Sequence, residues 1–214
     1  MHVLITGANR GIGLALADGY RARGDTVTGT ARSGDDLARL DVTNPEHHAA
    51  LARKLDGEAI DLLVCNAGVY PDKGQQLADG YPAQMWADAF AANVTGVFLT
   101  IQALLPNLQN ADAAKIAIMS SMMGSQERAP GGSYIYRASK AAALNLGRNM
   151  AVDLKPLGIA VGIYHPGWVR TDMGGATADI SEDESRDGMM ARFDQLSLNT
   201  TGSFEKWDGS SHPF

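Results

Sequence analysis

The run His2-Val3-Leu4-Ile5-Thr6-Gly7-Ala8-Asn9-Arg10-Gly11-Ile12-Gly13-Leu14-Ala15-Leu16 joins an apolar, strand-like stretch to a segment of helical period through three glycines. Glycines at such a junction let the backbone turn tightly and approach a pyrophosphate, while free amides at the start of the following helix bind the anion. His2 to Thr6 therefore reads as a first strand and Gly11 to Arg23 as a first helix, with Ile12, Leu14, Ala15 and Leu16 on its apolar face. The pattern points to a dinucleotide site at Gly7, Asn9, Arg10, Gly11, Ile12 and Gly13. A nucleoside triphosphatase loop would end in Gly-Lys-Ser/Thr, and Gly11-Ile12-Gly13 offers no lysine. The competing reading is a glycine turn kept for packing alone.

Outward from this junction, apolar runs alternate with longer helical segments, the pattern of a parallel sheet with crossover helices. Asp25 to Thr30 reads as the second strand and Leu37 to Asp41 as a short third, with too few residues between them for a full helix. Asn44-Pro45 opens a helix through about Leu55, since proline is tolerated in a first turn. Ala59 to Cys65 is a fourth strand, Pro82 to Leu105 is helical, and Lys115 to Ser120 is a fifth strand. A second long helix spans Ser133 to Leu154, ended by Pro156 and Gly158, before a sixth strand at Ile159 to Tyr164. The Gly-, Ser- and acid-rich stretch Thr171 to Asp187 reads as a loop or lid, placed around residues 171–190. A helix near Met189 to Leu196 and a strand near Ser203 to Trp207 complete a single α/β domain over residues 1–214, doubly wound, with a mostly parallel seven-stranded sheet.

Composition narrows the function classes. The 214 residues carry 24 acidic and 18 basic side chains, a formal net charge of −6, so no basic surface is on offer for nucleic acid. Apolar runs such as Ile159 to Tyr164 fall far short of the roughly 20 residues that cross a bilayer, and no basic leader precedes the first strand, so a cytoplasmic protein with no membrane partner is expected. The single Cys65 closes no intrachain disulfide, and the five histidines show no metal-ligand spacing, so no metal is expected. His47-His48 reads as a helix face, and the acids from Asp179 to Asp187 as a solvated face.

Tyr136 and Lys140 lie four apart and share one face of a helix. An ammonium beside a phenol favours the phenolate, which draws the tyrosine toward a usable general acid or base, although most such pairs are plain surface contacts. Ser120-Ser121 follows the fifth strand, where a hydroxyl faces the ligand crevice of a parallel sheet; Ser121 would polarise a substrate carbonyl, or simply cap a loop. Asn66-Ala67-Gly68 ends the fourth strand, as a turn or as part of the same crevice. Asn93, a poor helix former inside a long helix, calls for a hydrogen-bonding explanation. Met122, Met123, Trp168, Met173, Met189 and Met190 fall near the crevice or its lid, as core or as the lining of an apolar substrate pocket.

Taken in order, these stretches resemble the short-chain dehydrogenases/reductases over essentially the whole chain: TGANRGIG at 6–13, LDVT at 40–43, NAG at 66–68, NVTG at 93–96, SS at 120–121, YRASK at 136–140 and PGWVRTDM at 166–173. The wording around YRASK and PGWVRTDMGG, with the tail FEKWDGSSHPF, is similar to the carbonyl-reductase and C-factor-like branch. The resemblance implies a Rossmann domain that transfers a hydride between a nicotinamide coenzyme and a carbonyl or secondary alcohol. It implies a tetrad in which Tyr136 donates or accepts the proton and Ser121 holds the substrate oxygen. Lys140 would bind the nicotinamide ribose and lower the tyrosine pKa, and Asn93 would hold a water that relays protons to it. Asp41 and Val42 match the positions that meet the adenine, and Pro166, Gly167, Val169 and Thr171 lie in the segment that borders the nicotinamide. Three departures stand out: the short link between strands two and three, Cys65 in place of an asparagine before NAG, and the 15-residue spacing from Ser121 to Tyr136.

NAD-preferring relatives carry an acid at the end of the second strand, whereas here the strand ends Thr30-Ala31-Arg32. Arg32, joined by Arg10 from the glycine loop, matches phosphate geometry and points to NADP(H), with NAD(H) possible if Asp35 or Asp36 folds back toward the ribose. The helices at Pro82 to Leu105 and Ser133 to Leu154 resemble the family's dimer-forming pair, and Ala138, Ala141, Ala142 and Ala143 permit close approach, so a homodimer or homotetramer is expected. Two other classes stay open. One is a cofactor-binding sensor or signalling protein with vestigial chemistry. The other is an epimerase or dehydratase, against which the glycine spacing and short tail argue.

Overall fold

Strand β1 (His2–Thr6) is buried from Val3 to Thr6, as a parallel strand covered on both faces must be. Successive side chains alternate between faces, and the two faces feed different cores: Leu4 packs with Leu63, Ile116 and Ile118 on one side, Val3 and Ile5 with Val64 and Ala117 on the other. The computed structural model describes residues 1–34 and 36–214. Among these, β1 pairs with β2 (Thr26–Ala31) and β4 (Leu62–Cys65), and the sheet extends through β3 (Ala38–Arg39), β5 (Lys115–Met119), β6 (Ala160–His165) and β7 (Phe204–Lys206) in the order β3-β2-β1-β4-β5-β6-β7. All six pairings are parallel. The strand order reverses between β1 and β4, which opens a crevice at their carboxyl ends.

Helices α1 (Gly11–Ala22) and α6 (Glu182–Gln195) cover one face, burying Leu16, Tyr20, Met189 and Phe193. Helices α2 (Pro45–Lys54), α4 (Gly96–Gln109) and α5 (Tyr134–Leu154) cover the other with Leu51, Ile101, Leu104, Ala151 and Leu154. No helix separates β2 from β3 among the described residues, as the short link predicts, and Asp35 lies outside them.

Three expectations need correction. The helix expected at Pro82 to Leu105 is continuous over Ala83–Gln109: α3 (Ala83–Phe90) passes through one π turn (Ala91–Thr95) into α4. It runs past Pro106 because Leu108 is fully buried and the Asn107 amide donates to the carbonyls of Leu55 (2.6 Å) and Glu58 (2.9 Å). This helix is long and apolar enough to cross a bilayer, with mean hydropathy 1.5 over its most apolar window, a feature hidden when the runs are read separately; its apolar residues Ile101, Leu104 and Leu108 belong to the sheet core.

The second correction concerns the loop expected over 171–187, whose latter part is the start of α6. Ser181 caps that helix in a reciprocal box with Glu184, and Glu182, Asp183 and Glu184 fill the first turn, where carboxylates complement the helix dipole. Met189, fully buried, and Met190 then pack with the core rather than line a substrate pocket. Third, Ala143 is also fully buried, so it is withdrawn from the helix pair available for assembly.

Candidate active site

The glycine junction works as its spacing predicts. Gly7 (φ 67°) and Gly11 (φ 55°) occupy left-handed backbone, and a Cβ on Gly13 would collide with the Gly7 carbonyl, so α1 comes close under the turn. No side chain caps the start of α1 and no acid sits in its first turn, which leaves its amides free for an anion. Asn66 also supports the loop: its amide donates to the carbonyls of Thr6 (3.0 Å) and Gly7 (3.1 Å). The Thr6 hydroxyl in turn accepts from the backbone of Asn66 and Ala67, both at 3.0 Å, tying β1 to β4 at the point where the strand order reverses.

A cleft of ≈ 1490 Å³ opens above this point, larger than the ~300–1,000 Å³ of most small-molecule pockets and so roomy enough for a dinucleotide with a second ligand. Its lining includes Gly7, Asn9, Arg10, Gly11, Ile12, Gly13, Arg32, Asp41, Val42, Asn66, Ala67, Gly68, Tyr136, Lys140, Pro166 and Thr171. Gly167 and Val169 are absent from it. A Cβ on Gly167 would meet Ile180 and Trp207, and Val169 is buried where its backbone bridges to Ile180, so both hold the segment down while Pro166 and Thr171 face the cleft. Arg10 is paired with Asp172 across the mouth at 3.0 Å. Arg32 is exposed at the end of β2 with no carboxylate in salt-bridge range among the described residues. The Asp41 carboxyl is held below the usual carboxylate range by the amide and hydroxyl of Thr43, with Arg32 contributing. His47 accepts from the Asp41 amide (3.0 Å), and the buried His48 ring reaches the Val42 carbonyl (3.0 Å); the two histidines thus shape this corner instead of forming a plain helix face.

At the other end, Tyr136 and Lys140 ride on α5 near its start, 8% and 6% exposed. The Lys140 ammonium lies 5.7 Å from the Tyr136 ring centroid and donates to the Met119 carbonyl at the end of β5 (2.8 Å). It also sits beside Gly68, where a Cβ would touch it at 3.4 Å and press on the Asn93 side-chain oxygen at 3.0 Å. Burial lowers its pKa to about 8. Burial likewise pushes the Tyr136 phenol up to about 12; the Ser121 hydroxyl draws it down, while Tyr70 and the Asp72 carboxylate raise it further. Here the Lys140 ammonium is turned to a carbonyl, and desolvation is the largest influence on the phenol.

Ser121 caps the tight turn at Met122–Gly124, accepting from the Met123 amide (3.1 Å), and its hydroxyl also reaches Tyr136, although Ser121 is not among the residues lining the cleft. Ser120 lines the cleft and donates to the Lys140 carbonyl (2.9 Å). Asn93 occupies the π turn, a geometry frequent at functional sites. Its side chain is spent on protein groups: it accepts from the Val69 amide (2.8 Å) and donates to the Val69 carbonyl and the Ser139 hydroxyl, both at 2.9 Å. Both amide hydrogens and one lone pair of the oxygen are thus engaged by protein groups, and Asn93 does not line the cleft. Instead it ties the π turn to the exit of β4 and to α5.

Two residues here escaped the sequence reading. Tyr70 stacks on Tyr136 with ring centroids 4.1 Å apart, and Asp72, fully buried, accepts from the Ile135 and Tyr136 amides. Both approach from more than 60 positions away, beyond any local periodicity. Met173 is exposed and lines the cleft, Trp168 is exposed but not among the lining residues, and Met122 and Met123 are half-buried.

Comparison with known proteins agrees with this geometry. Residues 1–182 match the family model described as short chain dehydrogenase. The chain is 37% identical over 156 residues to C-signal of Myxococcus xanthus, covering 72% of this chain and 93% of that protein. It superimposes on an NADPH-bound carbonyl reductase from chicken fatty liver with a TM-score of 0.91 at 30% identity, covering 100% and 98% of the two chains. The carbonyl reductase Sniffer of D. melanogaster gives 0.92 at 27% identity, over 100% and 99%.

Proposed function

The chain belongs to the short-chain dehydrogenase/reductase family, in its carbonyl-reductase and C-factor-like branch, and from that premise we propose that it is an NADP(H)-dependent carbonyl reductase with Tyr136 as its general acid. The observation that carries the reading is the convergence, on one cleft, of an uncapped helix start behind the glycine turn and a buried Tyr136–Lys140 pair beside Ser121.

The residues fit the coenzyme. The α1 amides take its pyrophosphate, Asp41 and Val42 border its adenine, and Arg32 takes the 2′-phosphate that an acid at this position would repel. Arg10 joins it on leaving Asp172. When bound, the coenzyme supplies the hydride. Ser121 orients the carbonyl oxygen, and Tyr136 delivers the proton to that oxygen as the alcohol forms. A phenol raised by burial remains protonated at neutral pH, the state an acid needs at the start of a reduction. Lys140 binds the ribose hydroxyls and Asn93 fixes the backbone between them. NAD(H) is the lesser coenzyme, and the chain works as a cytoplasmic homodimer or homotetramer through α4 and α5, where Phe98 and Val152 are exposed.

A coenzyme-binding signal protein is the second reading, favoured by the identity to C-signal. A pure sensor has no use for a buried Tyr-Lys pair. Assaying a panel of aldehydes, ketones and quinones for NADPH consumption separates the two: consumption supports the reductase, while NADPH binding with no turnover across the panel favours the sensor.

A further inference from the structure

Helix α5 begins in an unusual way. Ser133 stands in the capping position, yet its backbone is left-handed (φ 47°) and its hydroxyl makes no bond to the first turn. Instead that hydroxyl meets the Tyr70 hydroxyl at 2.6 Å. The cap comes from elsewhere: Asp72 accepts from the Ile135 amide (2.8 Å) and from the Tyr136 amide (3.2 and 3.3 Å to its two oxygens). A left-handed non-glycine residue costs about 1 kcal/mol or more, and a local serine cap would have been available without it. A fully buried carboxylate is a further expense, tolerable only because helix-start amides satisfy it. Both costs are incurred on the one turn that carries Tyr136.

The segment after β4 thus grips Tyr136 twice, by its amide through Asp72 and by its ring face through Tyr70, stacked with an interplanar angle of 22°. We propose that Tyr70 and Asp72 are positioning residues for Tyr136, a clamp that holds the phenol in register with Ser121. The inference rests on the reading of Tyr136 as the acid. Four groups face the phenol: Asp72 and Tyr70 from the segment after β4, Ser121 from the turn after β5, and Lys140 from its own helix. Asp72 supplies the negative charge among them, and it raises the phenol pKa. Removing that charge therefore lowers the pKa.

The test compares Asp72→Asn, Tyr70→Leu and Tyr70→Phe with wild type and with Tyr136→Phe, measuring kcat, KM, coenzyme affinity and the pH profile of alcohol oxidation. Asp72→Asn is expected to lower kcat about 10-fold or more, as small misplacements of a reacting group do. It should also move the rising limb of the profile, where the phenolate is the base, to lower pH by about one unit. Tyr70→Leu should lower kcat comparably with coenzyme affinity unchanged, and Tyr70→Phe, which keeps the stack, should recover most of it. A purely structural role predicts a lower Tm with kcat and profile in place, and that result overturns the proposal. If Asp72→Asn does not fold, the Leu and Phe pair at Tyr70 decides: equal kcat in both overturns it. Tyr136→Phe separates the two claims. If that variant is inactive while the clamp variants behave as wild type, the clamp alone fails; if it is active, the reading of the acid fails and the clamp with it.

Discussion

Arg32 stands at the end of β2 beside Asp41, exposed and without a carboxylate partner among the described residues. On the proposed reading this guanidinium takes the 2′-phosphate, so Arg32→Ala should cut kcat/KM with NADPH roughly 10- to 150-fold and leave NADH nearly untouched. Equal efficiency with both coenzymes, unchanged by the substitution, would show that Arg32 reads nothing. Lys140 makes a prediction of the opposite kind. Its folded-state pKa of about 8 lies below the 10.5 of a free lysine, so between those values the unfolded chain binds more protons and stability rises with pH. At neutral pH the buried ammonium is a cost on the order of 3 kcal/mol, less about 1 kcal/mol for its bond to Met119. Lys140→Met should therefore raise Tm by several degrees at pH 7 while abolishing turnover, and thermal melts should show the gain fading as pH climbs from 8 toward 10.5. At this scale the sequence was readable where the signal was local: Tyr136 and Lys140 stand one helical turn apart. Tyr70 and Asp72 were not, because their partners are separated by a strand, two helices and a π turn.

Among the elements, periodicity located the strands and most helices, and its failures have physical causes. Helix α6 was half lost because the side chains at its start are Ser and acids, residues common to loops, and only the reciprocal Ser181–Glu184 box distinguishes a helix start from a turn. Ser181→Ala should cost about 1 kcal/mol and lower Tm by roughly 2–4 °C, with coenzyme affinity unchanged, since Ser181 does not line the cleft. A loss of coenzyme binding instead would mean that α6 and the cleft are one cooperative unit through the Ser185 hydroxyl on the Pro166 carbonyl. The π turn at Ala91–Thr95 was legible only as an oddity, an asparagine within an apolar helix; its geometry follows from bonds to Val69 and Ser139 that the sequence leaves unstated.

As a whole, the molecule sets an uncapped helix start and a buried phenol on one cleft, on either side of the strand reversal between β1 and β4. That arrangement was the most legible feature, because order along the chain imposes it: glycine turn after β1, NAG after β4, paired serines after β5, and YRASK on the next helix. The coenzyme corner was less so, since His47 and His48 act through backbone groups six residues away. The central claim is that this cleft performs reduction with Tyr136 as acid, and the turnover of Tyr136→Phe, measured beside its NADPH affinity, tests it most directly. The account predicts a loss of about 10² to 10⁴-fold in kcat with coenzyme affinity retained. A variant that keeps more than about a tenth of the wild-type rate would assign the proton to another group and contradict it.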